Sequence, residues 1–202
     1  YTTGNTLSLH DALPIWRAWS DERDTAELEA AVEAFLEDAI DWEEFDHRIE
    51  MGTRFLENVV TMSDFPVPEI EEKVRDMRKI GLGVMGLAQL YIQLGVRYGS
   101  ETGNRIAEEL MTHINHGSKA ASHELATERG SFNDWEDSKY ADPVRYADWF
   151  EQYVGEDPHD WEDGYPIRNH NTTTIAPTGT TSMVGNTTGG CEPIYNVAYY
   201  KN

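Results

Sequence analysis

The sequence is short of cysteine and of long apolar runs, and each shortage excludes a class of protein. Cys191 is the one cysteine in 202 residues, so the chain alone cannot build a disulfide framework or a multi-cysteine metal site. No apolar run approaches the roughly 18 residues of a membrane-spanning helix, and no secretory signal is visible. Hydrophobic residues still make up 39% of the chain, which is enough for a core. We therefore expect a folded, cytoplasmic protein, either one domain or a piece of a larger one.

Positive charge is also scarce, with 16 Lys and Arg against 37 Asp and Glu and a net charge of −21. Contact with nucleic-acid phosphates needs a positive surface, so we expect no direct nucleic-acid binding. The acidic residues are spread along the chain rather than collected in a tail. This favours a solvated acidic surface adapted to high salt over an acidic interaction tail.

We interpret the first fifteen residues as different in origin from the rest of the chain. One reading frame of a common sequencing-library adapter encodes Leu7-Ser8-Leu9-His10-Asp11-Ala12-Leu13-Pro14-Ile15. We expect residues 1–15 to be an artefact of library preparation, and residues 16–202 to be a fragment of a longer protein. The alternative is a natural loop that contains His10 and Asp11.

Apolar periodicity predicts a chain that is mainly helical. The expected helices are Asp24 to Ile40, Asp41 to about Met62, Glu69 to Arg78, Ile80 to Leu94 and Glu101 to Arg129. A shorter helix is expected near Pro143–Tyr153. The expected strands are Thr172 to Ile175 and Ile194 to Tyr200. Helices first and strands late are typical of part of an α/β structure.

The first two predicted helices carry apolar side chains that we expect in the core. In the first helix these are Leu28, Val32, Phe35, Leu36 and Ala39. In the second helix they are Phe45, Ile49, Phe55, Leu56, Val59 and Val60.

Residues 81–86 match the pattern G-x-G-x-x-G. A dinucleotide-binding turn needs a strand before the glycines and a helix after them, whereas the residues before Gly81 are charged and helical in pattern. We therefore favour close packing of a buried helix over a nucleotide-binding role for these glycines.

The most informative stretch runs from Asn171 to Ser182. A β-branched segment leads into a turn and then into hydroxyl residues that can open a helix. Free N–H groups at a helix start, together with threonine hydroxyls, suit a phosphate, and Gly179 allows close approach to the backbone. The stretch lacks the lysine of a Walker A loop, so hydrolysis of a nucleoside triphosphate is not implied. On chemistry alone, phosphate binding and an ordinary capped turn both stay open.

Cys191 and three histidines are the other candidates for chemistry. No basic residue lies near Cys191 in the sequence to stabilise a thiolate, which favours a structural thiol over a nucleophile. His113, His116 and His123 lack the acidic neighbours that would build a metal site, so we expect no metal there and interpret them as solvated or capping histidines.

Four features occur in order along the chain: Asn58-Val59-Val60, Arg78-Lys79-Ile80-Gly81-Leu82-Gly83-Val84-Met85-Gly86-Leu87-Ala88, the stretch Asn171 to Ser182, and Glu192-Pro193. Together they resemble the catalytic subunit of ribonucleotide reductase. The form Ala-Pro-Thr-Gly-Thr most resembles the adenosylcobalamin-dependent class II enzymes. The resemblance covers Trp16 to Asn202, and the acidity and scarcity of lysine fit a version from a halophilic archaeon.

The resemblance implies an α/β fold, the C-terminal part of a ten-stranded barrel that is helix-rich as a fragment, with residues 81–86 on a barrel helix. It implies reduction of the ribose 2′-OH of a ribonucleoside di- or triphosphate by thiyl-radical chemistry. Adenosylcobalamin as cofactor, a thioredoxin-like reductant and a homodimer are implied with it.

Carried over to this sequence, the resemblance assigns the substrate phosphate to Pro177, Thr178, Gly179, Thr180 and Thr181. No catalytic residue is expected here, because the Asn-x-Cys-x-Glu pattern of the radical cysteine and the paired reducing cysteines are absent. Cys191 stands where the family usually has an apolar residue. We expect the chain alone to be inactive. The alternatives are a non-enzymatic nucleotide- or phosphate-binding module and a helical interaction protein.

Overall fold

Helices dominate the structure, a computed structural model that describes residues 25–194, with side chains from residue 29. The α-helices are α1 (Thr25–Asp38), α2 (Trp42–Met62), α3 (Pro68–Met77), α4 (Leu87–Leu94), α5 (Glu101–Arg129), α6 (Ala147–Val154) and α7 (Thr181–Val184). The predicted helices that correspond to α1, α2, α3, α5 and α6 are confirmed to within a few residues. In the described part of the chain, no helix is long and apolar enough to cross a bilayer.

Two of the predicted segments cannot be compared with the structure. Residues 1–15 lie outside the described residues. The same is true of the expected strand at 194–200 beyond its first residue.

Proline and glycine set three helix ends. Pro68 opens α3, where the first N–H groups have no acceptor within the helix and the loss of one costs nothing. Gly95 and Gly130 follow α4 and α5 with φ of +66° and +80°, a left-handed conformation that glycine adopts without steric cost. The Gly130 N–H donates to the Ala126 carbonyl at 2.8 Å. The predicted end of the long helix at Gly130 is therefore confirmed.

The described residues form two compact units, each with its own core. The first holds residues 25–41, 84–109 and 175–194, and its buried side chains include Val32, Phe35, Tyr91, Leu94 and Ile106. The second holds residues 42–83 and 110–174. Its largest cluster of buried residues comprises Phe132, Tyr140, Phe150, Val154, Tyr165 and Ile167, with Trp135, Trp149 and Trp161 packed against it.

The segment from Ile80 to Leu94, predicted as one buried helix, is helical only from Leu87. Leu82 instead forms a parallel bridge with Thr173. The Leu82 N–H donates to the Thr172 carbonyl at 2.8 Å, and the Thr174 N–H donates to the Leu82 carbonyl at 3.0 Å. The prediction was wrong because an apolar run does not distinguish a buried extended segment from a buried helix. Residues 81–86 therefore do not lie on a helix, which also corrects the barrel helix that the resemblance implied.

The strand content is the second difference between the structure and the prediction from sequence. Of the expected strand from Thr172 to Ile175, Thr173 alone takes part in a β-bridge, and the described residues contain no longer ladder. An extended segment needs paired neighbours to satisfy its backbone groups, and the described residues offer it one short partner around Leu82. They are helix-rich, as expected for a fragment, and they do not by themselves form a ten-stranded barrel.

The core of the second unit buries two tyrosine hydroxyls. Burial raises the pKa of both Tyr140 and Tyr165 well above the usual value near 10, because a phenolate is poorly solvated there. The Tyr140 hydroxyl donates to the His170 carbonyl at 3.4 Å. The protonated tyrosines therefore belong to the folded state.

We expect the free energy of unfolding to fall as the pH rises above about 10. Unfolded tyrosines lose their protons near pH 10, whereas Tyr140 and Tyr165 keep theirs when folded, so the unfolded state binds fewer protons. Urea unfolding at about pH 9 and about pH 11 measures the fall. Tyr140→Phe should reduce it, and Tyr153→Phe at an exposed position is the matched control. An equal fall in all three proteins would contradict this assignment.

Candidate functional site

The predicted phosphate turn, residues 177–181, lies in the first unit and leads into the one-turn helix α7. Thr180 is the N-cap of that helix. Thr178 is half-buried, and the other residues of the turn are exposed. The predicted order of turn and helical turn is confirmed.

Thr178 holds the turn in a strained conformation. Its φ of +50° is left-handed, which costs a β-branched residue about 1–2 kcal/mol. Its Oγ1 accepts a hydrogen bond from the Gly190 N–H at 2.6 Å, and its carbonyl accepts one from the Ser182 N–H at 2.8 Å. These bonds keep the sharp bend in place from both sides. Strain of this kind is concentrated at functional sites.

The turn also leaves several hydrogen-bond donors within a few residues. The backbone N–H groups of residues 178–181 donate to no acceptor in the described part of the chain. Residues 175–194 contain neither lysine nor arginine, so this segment adds no positively charged side chain to the neutral backbone donors. A run of unpaired N–H groups is suited to an oxyanion such as phosphate.

Gly179 has no structural reason to be glycine. A Cβ added there would meet nothing within 4 Å, and its φ is not in the left-handed region. Neither packing nor backbone conformation within the described residues therefore requires the missing side chain.

A shallow cavity of about 300 Å³ borders α7 in the same unit. Its lining residues are Gln89, Ile92, Ser182, Met183, Asn186, Thr187, Thr188 and Ile194. The Thr187 hydroxyl donates to Gln89 Oε1 at 2.7 Å, and the Gln89 N–H donates to Thr188 Oγ1 at 3.3 Å. The lining therefore combines amide, hydroxyl and aliphatic groups.

The three glycines of the 81–86 motif are required by contacts within the chain. An added Cβ would lie 2.5 Å from Thr174 Cγ2 at Gly81, 2.6 Å from the Thr174 carbonyl oxygen at Gly83, and 2.6 Å from Thr187 Oγ1 at Gly86. The predicted role in close packing is confirmed, although on non-helical backbone. The glycine faces are filled by the protein itself and leave no room for a pyrophosphate.

A buried ion network in the second unit was missed from the sequence. The fully buried carboxylate of Glu57 accepts hydrogen bonds from Arg78 Nη2 at 2.6 Å, Arg168 Nε at 2.9 Å and Asn169 Nδ2 at 2.8 Å. Burial alone would raise the pKa of Glu57, but the bonds from Arg78, Arg168 and Asn169 together hold it below the usual value. The carboxylate is therefore charged at neutral pH and fully paired.

The side of α2 that carries Glu57 faces inward, which differs from the predicted side. Ile49, Thr53 and Glu57 are buried at four-residue spacing, whereas Phe55 and Val59 are 65% and 45% exposed. The prediction that Phe55 and Val59 lie in the core was wrong. A charged residue takes the inner position because its partners satisfy it there.

Cys191 lies half-buried in the first unit. Its carbonyl oxygen accepts a hydrogen bond from the Tyr98 hydroxyl at 2.6 Å. Within residues 25–194, no group of three or more His, Cys, Asp or Glu side chains could hold a metal ion.

The histidines of α5, which we predicted to be solvated or capping, each contact a group of the second unit. His116 and His123 each contact a backbone carbonyl, at 3.0 Å and 2.7 Å. The His123 ring also stacks on Tyr165, with ring centroids 4.7 Å apart. His113 contacts Asp46 at 2.5 Å.

Comparison with known proteins supplies a context for this geometry. Residues 27–202 match the family model described as ribonucleotide reductase, barrel domain. The chain is 39% identical over 160 residues to a vitamin B12-dependent ribonucleoside-diphosphate reductase of Mycobacterium tuberculosis, covering 79% of this chain and 20% of the relative. It is 37% identical over 164 residues to the protein of that name in Thermoplasma acidophilum, covering 81% of this chain and 19% of the relative.

A more distant relative is a ribonucleoside-diphosphate reductase subunit alpha of Chlamydia pneumoniae. It is 28% identical over 188 residues, which cover 85% of this chain and 18% of the relative. The chain therefore spans about a fifth of the length of the curated relatives it matches.

Proposed function

The chain belongs to the barrel-domain family of ribonucleotide reductases, and from that membership we propose that it is part of a ribonucleoside-diphosphate reductase. Such an enzyme makes deoxyribonucleotides by thiyl-radical reduction of the ribose 2′-OH. The names of the relatives favour a diphosphate substrate over a triphosphate. The alternative of a non-enzymatic binding module is not favoured, because the relatives are reductases.

In this proposal the turn at residues 177–181 binds the substrate phosphate. The supporting observation is the run of unpaired backbone N–H groups from Thr178 to Thr181, together with a glycine at 179 that the fold does not require. The hydroxyls of Thr180 and Thr181 add donors at exposed positions. The strained Thr178 fixes the turn before substrate arrives, which reduces the ordering cost of binding.

The chain provides phosphate binding rather than the radical chemistry. Reduction in this family needs a radical cysteine and a reducing pair, and Cys191 is the one cysteine here. We propose that the chain alone is inactive.

The cofactor of the proposed enzyme is adenosylcobalamin, since two of the relatives are vitamin B12-dependent. When bound, it supplies the radical that activates the cysteine. We assign no residue of this chain to the cofactor.

The remaining features of the proposal rest on family resemblance. They are a ten-stranded barrel in the complete protein, a thioredoxin-like reductant, a homodimer and a cytoplasmic location.

Replacing Gly179 with valine in the complete reductase tests the phosphate turn. The added side chain would obstruct approach to the N–H groups, and a hydrogen bond to a charged group is worth about 1.5–3 kcal/mol. We expect the KM for a ribonucleoside diphosphate to rise at least about tenfold, with kcat much less affected, because the lost contact is made in both ground and transition states.

The control is Val184→Thr, an isosteric change on α7 at an exposed position, which should leave KM unchanged. Thermal unfolding of both variants should match the wild type. An unchanged KM in a folded Gly179→Val enzyme would refute the assignment of the turn.

A further inference from the structure

Helix α5 carries a buried lysine that has no counter-charge among the described residues. Lys119 is 6% exposed, and its Nζ donates to Asn115 Oδ1 at 2.5 Å. That bond uses one of the three donors of an ammonium group. No carboxylate of residues 29–194 lies within ion-pair distance of it. Buried lysines are normally paired, so this position is incomplete.

The groups around the ammonium are held in place within the second unit. Asn115 Nδ2 donates to the Tyr153 carbonyl at 2.8 Å, which orients the amide so that Oδ1 faces Lys119. The Thr173 hydroxyl reaches the same Oδ1 at 3.4 Å, a long and weak bond. Thr173 therefore has a hydroxyl that can turn to a stronger acceptor beside the ammonium.

The energetics point the same way. Burial alone lowers the pKa of Lys119 to about 8, and no charged group acts on it. A protonated lysine at this position is desolvated without compensation. A carboxylate placed next to it would supply the compensation and raise the pKa again.

We propose that Lys119 is the receptor for one carboxylate side chain from the part of the reductase polypeptide outside residues 1–202, with Thr173 as a second donor. One ammonium balances one carboxylate, whereas a bound phosphate carries more than one negative charge at neutral pH, and no second cation among residues 29–194 contacts Asn115 or Thr173. The source of the carboxylate is the remainder of the reductase polypeptide, and in this respect the inference rests on the proposed function.

Lys119→Met tests the receptor through a change of sign between two proteins. According to the proposal, the 202-residue chain lacks the source of the carboxylate, so the variant removes an uncompensated charge there and we expect the midpoint of thermal unfolding to rise by about 5 °C. In the complete reductase the variant leaves the carboxylate without its counter-charge, and we expect the midpoint of thermal unfolding to fall. Lys73→Met, at an exposed position, should leave both midpoints unchanged. A rise in both proteins, or a fall in both, would overturn the proposal.

A titration of the chain separates the carboxylate from free phosphate. The Lys119 ammonium, observed by NMR and identified by its loss in Lys119→Met, should titrate near pH 8 with or without inorganic phosphate. A midpoint that phosphate moves above about pH 10 would assign the position to phosphate and refute the carboxylate. Both results are independent of Gly179→Val, whose KM reports on the proposed function alone.

Discussion

Replacing Glu57 with glutamine is expected to lower the free energy of unfolding of the chain by about 3–5 kcal/mol. The substitution keeps the shape of the side chain and removes its charge. The guanidinium groups of Arg78 and Arg168, which are 7% and 15% exposed, then lie in the protein without a counter-charge. Stranding buried charges costs far more than losing an exposed ion pair. Urea unfolding at neutral pH measures the difference.

Arg54→Gln is the matched control, because it breaks a second ion pair on the same helix. Arg54 and Glu128 approach to 2.7 Å, but their side chains are 30% and 46% exposed. Solvent screens such a pair, so the expected loss is about 0–1 kcal/mol. Similar losses in Glu57→Gln and Arg54→Gln would show that the Glu57 network contributes no more than a surface pair.

The Glu57 network shows where sequence-based prediction stops. Residues such as Pro68 and Gly130 act on their own neighbours, so the helix ends that they set could be predicted from short patterns. Glu57 is bound by Arg78 and Arg168, which are far away along the chain. Nothing local indicates that a glutamate at four-residue spacing from Ile49 and Thr53 faces inward. Hydrophobicity instead favoured the side with Phe55 and Val59, which is exposed.

The prediction for the segment around Leu82 was wrong for a different reason. Its apolar residues suit a buried helix and a buried extended segment equally well, and periodicity cannot decide between them. The deciding interaction is the pairing of Leu82 with Thr173, which is again remote in sequence. The glycines at 81 and 83 carried a usable signal, because glycine disfavours a helix interior.

The candidate phosphate turn was predicted more completely, since its chemistry lies in consecutive residues. The sequence supplied the turn and its hydroxyls. It did not supply the left-handed Thr178, whose bond from Gly190 closes the loop. A β-branched residue is among the least expected at positive φ, so composition alone could not predict this conformation.

Gly83→Ala is expected to destabilise the chain by about 3 kcal/mol, the upper end for an overpacked position. The new Cβ would lie 2.6 Å from the carbonyl oxygen of Thr174. A backbone atom cannot turn away as a flexible side chain does, and a shift here would strain the Thr174 N–H bond to the Leu82 carbonyl. Urea unfolding measures the loss.

Gly179→Ala is the matched control, because the same methyl group added there meets nothing within 4 Å. We expect its free energy of unfolding to stay within about 0.5 kcal/mol of the wild type. Unfolding and KM measurements therefore distinguish the roles of the two glycines. If the fold requires Gly83 and substrate binding requires Gly179, Gly83→Ala lowers the free energy of unfolding, whereas a bulky residue at position 179 raises only the KM. A loss of stability at both positions would mean that Gly179 is explained by the fold, and the phosphate turn would lose the observation that supports it.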